Sequence, residues 1–362
     1  MSDVLGPRSL NRATLARQFL LERTNRPVPD VVEHLVGMQA QTPHSWYVGL
    51  WSRIAGFRPD ATAELLTDGS LVRLALMRST IHLVTERDAH GLRGAVQPVL
   101  DSDLMVNHLH GAAVRGLDLD EVVAAARPVL AERPRTQKEL GALLQERWPD
   151  RPAGALAYAV RNRLPLVQAP PRGVWGRSGP IAHTYLDGGS DSVPLTTLVH
   201  RYLAAFGPAT IKDVQVWSGL THLREVVEPM GDRLRIFRDE HDRVLYDLPD
   251  APRPDPDTPA PVRFLYDFDN LLLSHADRSR VLTEEFQRVF RARQSPQPAA
   301  VLVDGTTAAH WTLERDRATA TLTVRPHRPL TGDETDAVAS EAAGLLKFVA
   351  PDLRPELRLQ SA

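Results

Sequence analysis

The chain has 362 residues, more than one domain of about 150 residues needs. Hydrophobic residues make up 43% and charged residues 24%, a composition that excludes a mainly disordered state. The absence of cysteine excludes disulfides, thiolate nucleophiles, Fe–S clusters and cysteine zinc sites. A net charge of −2 confines any DNA-binding face to a local patch.

No apolar run reaches the roughly 18 residues of a membrane helix. The opening MSDVLGPRS lacks an apolar signal core, so the expectation is a cytoplasmic chain with no membrane partner. Lysine is scarce: Lys138, Lys212 and Lys347 are the only ones among 43 basic residues. GC-rich codon usage accounts for that, but it leaves few candidates for a Schiff base.

In chain order, Leu15, Phe19 and Leu20 suggest a first helix. Val28, Val31, Val32, Leu35 and Val36 fit the amphipathic template, with Asp30 as a cap. A further helical stretch near 60–68 precedes the β-prone run Leu74–Val84. Helices followed by a hairpin are the parts of a winged helix-turn-helix. The parts recur. Leu119, Val122, Val123 and Ala126 form one helical face, and Thr136 with Glu139 caps another carrying Leu140, Leu143 and Leu144. Leu156, Val160 and Leu164 mark a third, before the Gly/Pro/Arg-rich stretch 168–177.

A third copy begins at Leu195, with Leu198, Val199, Tyr202 and Leu203; Thr210 opens the next helix, and a further helix carrying Leu223, Val226, Val227 and Met230 follows. Leu234, Ile236, Val244, Tyr246 and Leu248 alternate as a hairpin. A Pro/Asp linker at 251–261 leads to strands around Asp304-Gly305 and a last helix capped by Thr331 and Glu334. The fold class read from this is mainly α with β hairpins (α+β). It comprises three tandem winged-helix units, 1–115, 116–190 and 191–257, and a strand-rich region, 258–362, with a final helix.

The local feature that stands out chemically is Gln39-Ala40-Gln41, placed by periodicity at the end of the Val28–Val36 helix. On a helix the two amides diverge. If the chain is extended near Ala40, they project the same way. Pro43 limits how far the helix can continue. From spacing alone the glutamines either face a cleft or merely tie off the last helical carbonyls.

Several segments resemble the HTH_42 winged-helix family of AlkZ- and YcaQ-type DNA glycosylases. They are His34–Gln41 with Trp46–Leu50, Leu76–Leu83, Phe206–Thr210 with Trp217–Gly219, Tyr266–Arg278 and Val301–Gly305. They occur in the family's order over nearly the whole chain, and Gln-x-Gln in place of Gln-x-Asp is similar to the AlkZ branch. The resemblance implies a monofunctional DNA glycosylase without lyase activity. It would hydrolyse the N-glycosidic bond of N7-alkylguanine, including bulky or crosslinking natural-product adducts, as in antibiotic self-resistance.

A cationic base leaves without protonation, so such an enzyme must mainly place a water near C1′. A carboxamide orients a water but does not titrate usefully. The resemblance therefore implies Gln41 as the principal water-positioning residue and Gln39 as its partner. Neither cofactor nor metal is expected: no H-E-x-x-H occurs, and His108 and His110 are an isolated pair. The expected partner is double-stranded DNA containing alkylated guanine, and the simplest assembly for a three-unit chain is a monomer.

Secondary candidates for DNA contact are Arg78, Ser79, Thr80 and His82 on the first wing and Arg172 and Arg177 beside Trp175 on the second. His275, Asp277 and Arg278 either line the cleft or form an internal turn. Trp46 and Tyr47 are candidates for stacking on the substrate, although Trp46, Leu50 and Trp51 also fall at the helical spacing of core residues. Winged helices also serve transcription, so a non-enzymatic DNA-binding regulator is the alternative, and sequestration of a toxic small molecule is a third.

Overall fold

The computed structural model describes residues 4–188, 192–292 and 298–361. The predicted boundary between the second and third units, at 190–191, lies outside them. The observed class is mixed α and β, as expected. Helices Pro7–Arg17, Val28–His34, Trp46–Arg53 and Pro59–Thr67 precede a hairpin of Leu71–Ala75 and Ile81–Thr85. Its turn is tight because Arg78 and Ser79 both take the left-handed conformation, φ 55° and 58°, uncommon for side chains larger than glycine.

The second helical group, Leu119–Glu132, Gln137–Gln145 and Ala153–Arg163, has a core of its own. Val122, Ala126, Leu130, Leu140, Leu144, Leu156, Val160 and Leu164 meet there. Thr136 and Glu139 cap the middle helix reciprocally. Leu143 of the predicted stripe stays exposed.

The two hairpins do not stay separate. Leu74 pairs with Val167, which joins Met38–Gln39, Ile81–Thr85, Leu71–Ala75, Leu166–Gln168, Ala182–Tyr185 and Arg135–Thr136 into one six-stranded sheet in that order. This fusion has no signature in hydrophobic periodicity, which reports faces rather than edges.

The third group, Leu195–Phe206, Ile211–Ser218 and Arg224–Val227, is followed by the hairpin Arg235–Asp239 and Val244–Asp247. Val4–Leu5 adds to it in parallel. The alternation read from the sequence selects the wrong face here. Ile236 is exposed, while Phe237 and Leu245 are buried with Leu10 of the first helix. The N-terminal segment, distant in sequence, decides which face is inside.

The C-terminal region is a five-stranded sheet of Arg263–Phe264, Ala299–Val303, Thr306–Arg315, Thr319–Pro326 and Arg354–Leu359. The helix Gly332–Val349 packs on it through Val338, Ala342, Leu345 and Leu346. Among the described residues no helix is long and apolar enough to cross a membrane.

Buried ion pairs tie the first helix to distant segments. Arg17 donates to both carboxylate oxygens of Asp247 at 2.6 and 2.9 Å, and neither side chain is exposed. The 251–261 linker is held down by the same face: Arg17 also donates to the Pro252 carbonyl, Arg12 to Thr258 and Arg8 to Pro256. Asp247→Ala leaves the Arg17 guanidinium buried without its counter-ion and is expected to cost about 3–5 kcal/mol. Urea unfolding at neutral pH measures it.

Candidate active site

The helix Val28–His34 stops earlier than its apolar pattern. Val36 and Gly37 turn left-handed, φ 55° and 85°. A Cβ on Gly37 would lie 2.7 Å from a Val84 methyl and 3.1 Å from the Leu83 carbonyl, so only glycine fits where the chain swings onto the sheet. Met38 then pairs with Leu83 and Gln39 with His82, and Ala40 N–H donates to the Ile81 carbonyl at 2.7 Å. The glutamine motif therefore starts in the sheet-edge strand Met38–Gln39 and ends in a bend at Gln41, not at a helix C-terminus, which corrects the placement by periodicity.

Gln39 is held on every side. Its N–H donates to Asn270 Oδ1 at 3.2 Å, and its carbonyl accepts from the Tyr266 hydroxyl at 2.9 Å. Its side-chain Oε1 accepts from Arg78 Nη2 at 2.8 Å. A guanidinium only donates, so this bond fixes which way the amide faces. The residue is 3% exposed. Gln41 is exposed, and its Oε1 accepts from Ile81 N–H at 3.2 Å. Between them the Ala40 carbonyl accepts from Arg73 Nη2 at 2.7 Å.

The charges beneath this strand are unusual. Arg73 is buried, and its Nε and Nη1 have no partner. Burial and the charge of Arg172 push its pKa down to about 10. Burial and then Arg278 do the same to Arg78, also to about 10. Arg78 has carbonyl and amide partners only, donating to Trp217 O as well as Gln39. Desolvation, reinforced by Arg78, drives His82 down to about 3. His82 is thus neutral, with Nδ1 donating to Thr80 O at 3.0 Å and Nε2 unpartnered.

The strand is buttressed by residues 266–270. Asn270 Nδ2 donates to the Gly37 carbonyl at 2.8 Å while its Oδ1 takes Gln39 N–H. Asp269 holds the segment in place through Arg53, with both bonds 2.8 Å. Thr42 Oγ1 donates to Asp267 Oδ2. Tyr266, Asp267, Asn270, Arg73 and Thr42 were missed as site residues. The first three lie in the Tyr266–Arg278 motif, but their neighbourhood to Gln39 is a long-range contact that spacing does not reveal.

The structure corrects several secondary candidates. His82 is fully buried and so inaccessible to phosphate. His275 is 1% exposed and bonded to the Phe206 carbonyl at 3.1 Å. It belongs to an internal turn where Asp213 accepts from Ala276 N–H. Trp46 and Tyr47 are core residues stacked at 3.9 Å. Tyr47 OH bridges Gly173 O and Trp175 N, so neither ring is available for stacking on substrate. Arg78 holds Gln39 in place of a phosphate.

Ser79 is half-buried, donating to Asp103 while its carbonyl accepts from Arg161. Thr80 donates to Met77 O at 3.0 Å. Arg278 is half-buried over the Phe290 ring, and Asp277 pairs with Arg243. Arg172 donates to Gly179 O, and Arg177 is exposed. A groove of about 910 Å³ begins at His44, in the turn after the motif, and is lined by Trp175, Arg177, Trp311, Arg315 and Leu353 among others; the two glutamines are not in its wall.

The two glutamines thus stand at the start and end of a short stretch leaving a sheet edge, over arginines that have no carboxylate partner. The family described as DNA glycosylase AlkZ-like matches residues 32–348, and the chain belongs to that DNA glycosylase family. An interstrand DNA cross-link repair glycosylase of Streptomyces sahachiroi is 26% identical over 321 residues, 82% of this chain and 85% of that protein. The solved DNA glycosylase AlkZ of Streptomyces sahachiroi has the same fold, with a TM-score of 0.77 at 23% identity over 99% of this chain and 100% of that one.

Burial of neutral imidazoles makes stability acid-sensitive. His82 is lowered to about 3, His183 to about 4, each chiefly by desolvation, and His275 is lowered too. Below their ordinary pKa the unfolded chain binds protons that the folded chain refuses, so stability falls as pH drops from about 6.5 toward 4. Denaturation at pH 5 is expected to take up roughly three protons from these groups. The pH dependence of the urea midpoint and His82→Gln, which removes one of the three, measure it.

Proposed function

We propose that this glycosylase hydrolyses the N-glycosidic bond of N7-alkylated guanine in double-stranded DNA, with Gln41 placing the attacking water and Gln39 as its partner. The observation that carries the reading is the pair of carboxamides fixed against one hairpin, Gln39 in the edge strand by Arg78 and Gln41 in the bend that follows it by the Ile81 N–H. Gln41 Oε1 is oriented by the Ile81 N–H, and its second lone pair remains to accept a water hydrogen. Gln39, with Oε1 taken by Arg78, has its Nε2 hydrogens to offer. N7 alkylation makes the base a cationic leaving group, so a placed water suffices without a general acid. Orientation alone can supply several kcal/mol, roughly 7–11 at its limit.

The lesions in this proposal are bulky or crosslinking adducts, as in self-resistance to a DNA-alkylating natural product. The named activity of the Streptomyces sahachiroi relative supports this, as does the groove that begins at His44, where Trp175 and Trp311 supply apolar walls and Arg177 and Arg315 stand exposed. The chain would act as a monomer in the cytoplasm. Its three helical groups with hairpins are read as winged-helix units 1–115, 116–190 and 191–257. They cradle the duplex on a basic concave face with the C-terminal region, 258–362, beside it. Lys138, Lys212 and Lys347 are all exposed and lie outside the glutamine strand, which supports release without strand nicking.

With an N7-methylguanine duplex, the wild-type chain is expected to release free base and leave an abasic site. Gln41→Ala is expected to lower the single-turnover rate on the order of 10²-fold with DNA affinity retained. Binding without release by the wild type would instead support a regulator. Affinity for intact duplex should fall at least roughly tenfold between low and moderate salt as counterions compete for the phosphates. A flat fluorescence-anisotropy response to salt would remove the basic face.

A further inference from the structure

We propose that Thr42 and Asp267 form a proton relay for the attacking water, an inference that rests on the glycosylase reading above. In the hydrolysis the water oxygen bonds to C1′, and the C1′–N9 electron pair leaves with the alkylguanine, which departs neutral. One proton of the water must go elsewhere. Gln39 and Gln41 position water but cannot take that proton, because a carboxamide is not a useful base. His82 is sealed beneath the strand.

Asp267 has the properties the step needs. It is 8% exposed, its Oδ2 accepts from the Thr42 hydroxyl, and its Oδ1 has no partner. Among the described residues it holds the only buried carboxylate oxygen in that condition. Asp269, two residues on, has both oxygens on Arg53. Asp103 accepts from Ser79, Tyr158 and Asn162. A buried oxygen left without a hydrogen-bond partner is rare in a folded protein, and a catalytic role is one of its recognised reasons.

Thr42 connects Asp267 to the motif. It is exposed and follows Gln41 directly. Its hydroxyl hydrogen points at Asp267, so its oxygen is left as an acceptor. The water then gives one proton to Thr42 Oγ1 as Thr42 passes its own to Asp267, which ends protonated and later releases the proton to solvent. Thr42 is the group that meets the water, and Asp267 acts through it as a positioning and proton-accepting residue.

The test compares Thr42→Val, Thr42→Ser, Asp267→Asn and the double variant Thr42→Val/Asp267→Asn in single-turnover release from an N7-methylguanine duplex. Affinity for undamaged duplex and thermal melting are measured alongside. Thr42→Val and Asp267→Asn are each expected to slow release on the order of 10²-fold. The double variant should be no slower than either, and Thr42→Ser should keep most of the rate. DNA affinity should be unchanged, or tighter where a negative charge is lost, a direction that structural damage would not give.

Because Thr42 is exposed, its variants report even if Asp267→Asn unfolds. Wild-type release by Thr42→Val, a Thr42→Ser variant as slow as Thr42→Val, or multiplicative losses in the double variant would each overturn the relay. Loss in Gln41→Ala with full rate in Asp267→Asn would overturn the relay and leave the glutamine reading standing. A wild-type chain without release would overturn both.

Discussion

The buried pair of Arg53 and Asp269 is the constraint on which the site depends. Arg53 ends the helix Trp46–Arg53, four residues after Gly49, whose carbonyl it also binds. Asp269 begins the short turn Asn270–Leu272 and accepts from Leu271 N–H. Locking these two together brings Tyr266 and Asn270 alongside Gln39, where they take its carbonyl and N–H. An edge strand normally presents unpaired backbone groups to solvent. Here a loop some 230 residues away satisfies them, and the glutamine side chains acquire a rigid base.

The electrostatics follow from the same packing. Arg73 is buried and Arg78 half-buried, neither with a carboxylate partner, an arrangement that disfavours the free protein. Compensation is uneven by design of the fold: the arginines of the scaffold, Arg17 and Arg53, are bidentate to aspartates, while those under the motif are bonded to carbonyls and an amide. The hydrogen bond from Arg78 to Gln39 converts a flexible side chain into a fixed dipole, as a preorganised site requires.

Much of the architecture was legible because it is local. Capping boxes at Thr136 and Thr331 and the apolar faces of their helices, and the helix start at Thr210, are written within a few residues. The Asp304-Gly305 turn is too. The glutamine motif itself stood out through its resemblance to a family. Its setting did not, since Val36 and Gly37 break the helix within a run that still has helical periodicity. Phe237 displaced Ile236 from the interior because Leu10 packs there. Trp46 and His82 look like ligand groups by type, yet both face inward. Asp267 sat in a quoted motif but gained meaning only from Thr42, and a pairing across 225 residues leaves no periodic trace.

The left-handed turn at Arg78 joins parts of the chain made at very different times. Its guanidinium spans the carbonyl of Trp217 and the amide of Gln39, and Asn270 closes the other side. During synthesis the amino-terminal strand emerges early but has nothing to lean on. Its geometry can assemble only after the ribosome has delivered the segment beyond Tyr266. A nascent or truncated product lacking that segment would hold the glutamines without the contacts from Tyr266 and Asn270 that fix the Gln39 backbone.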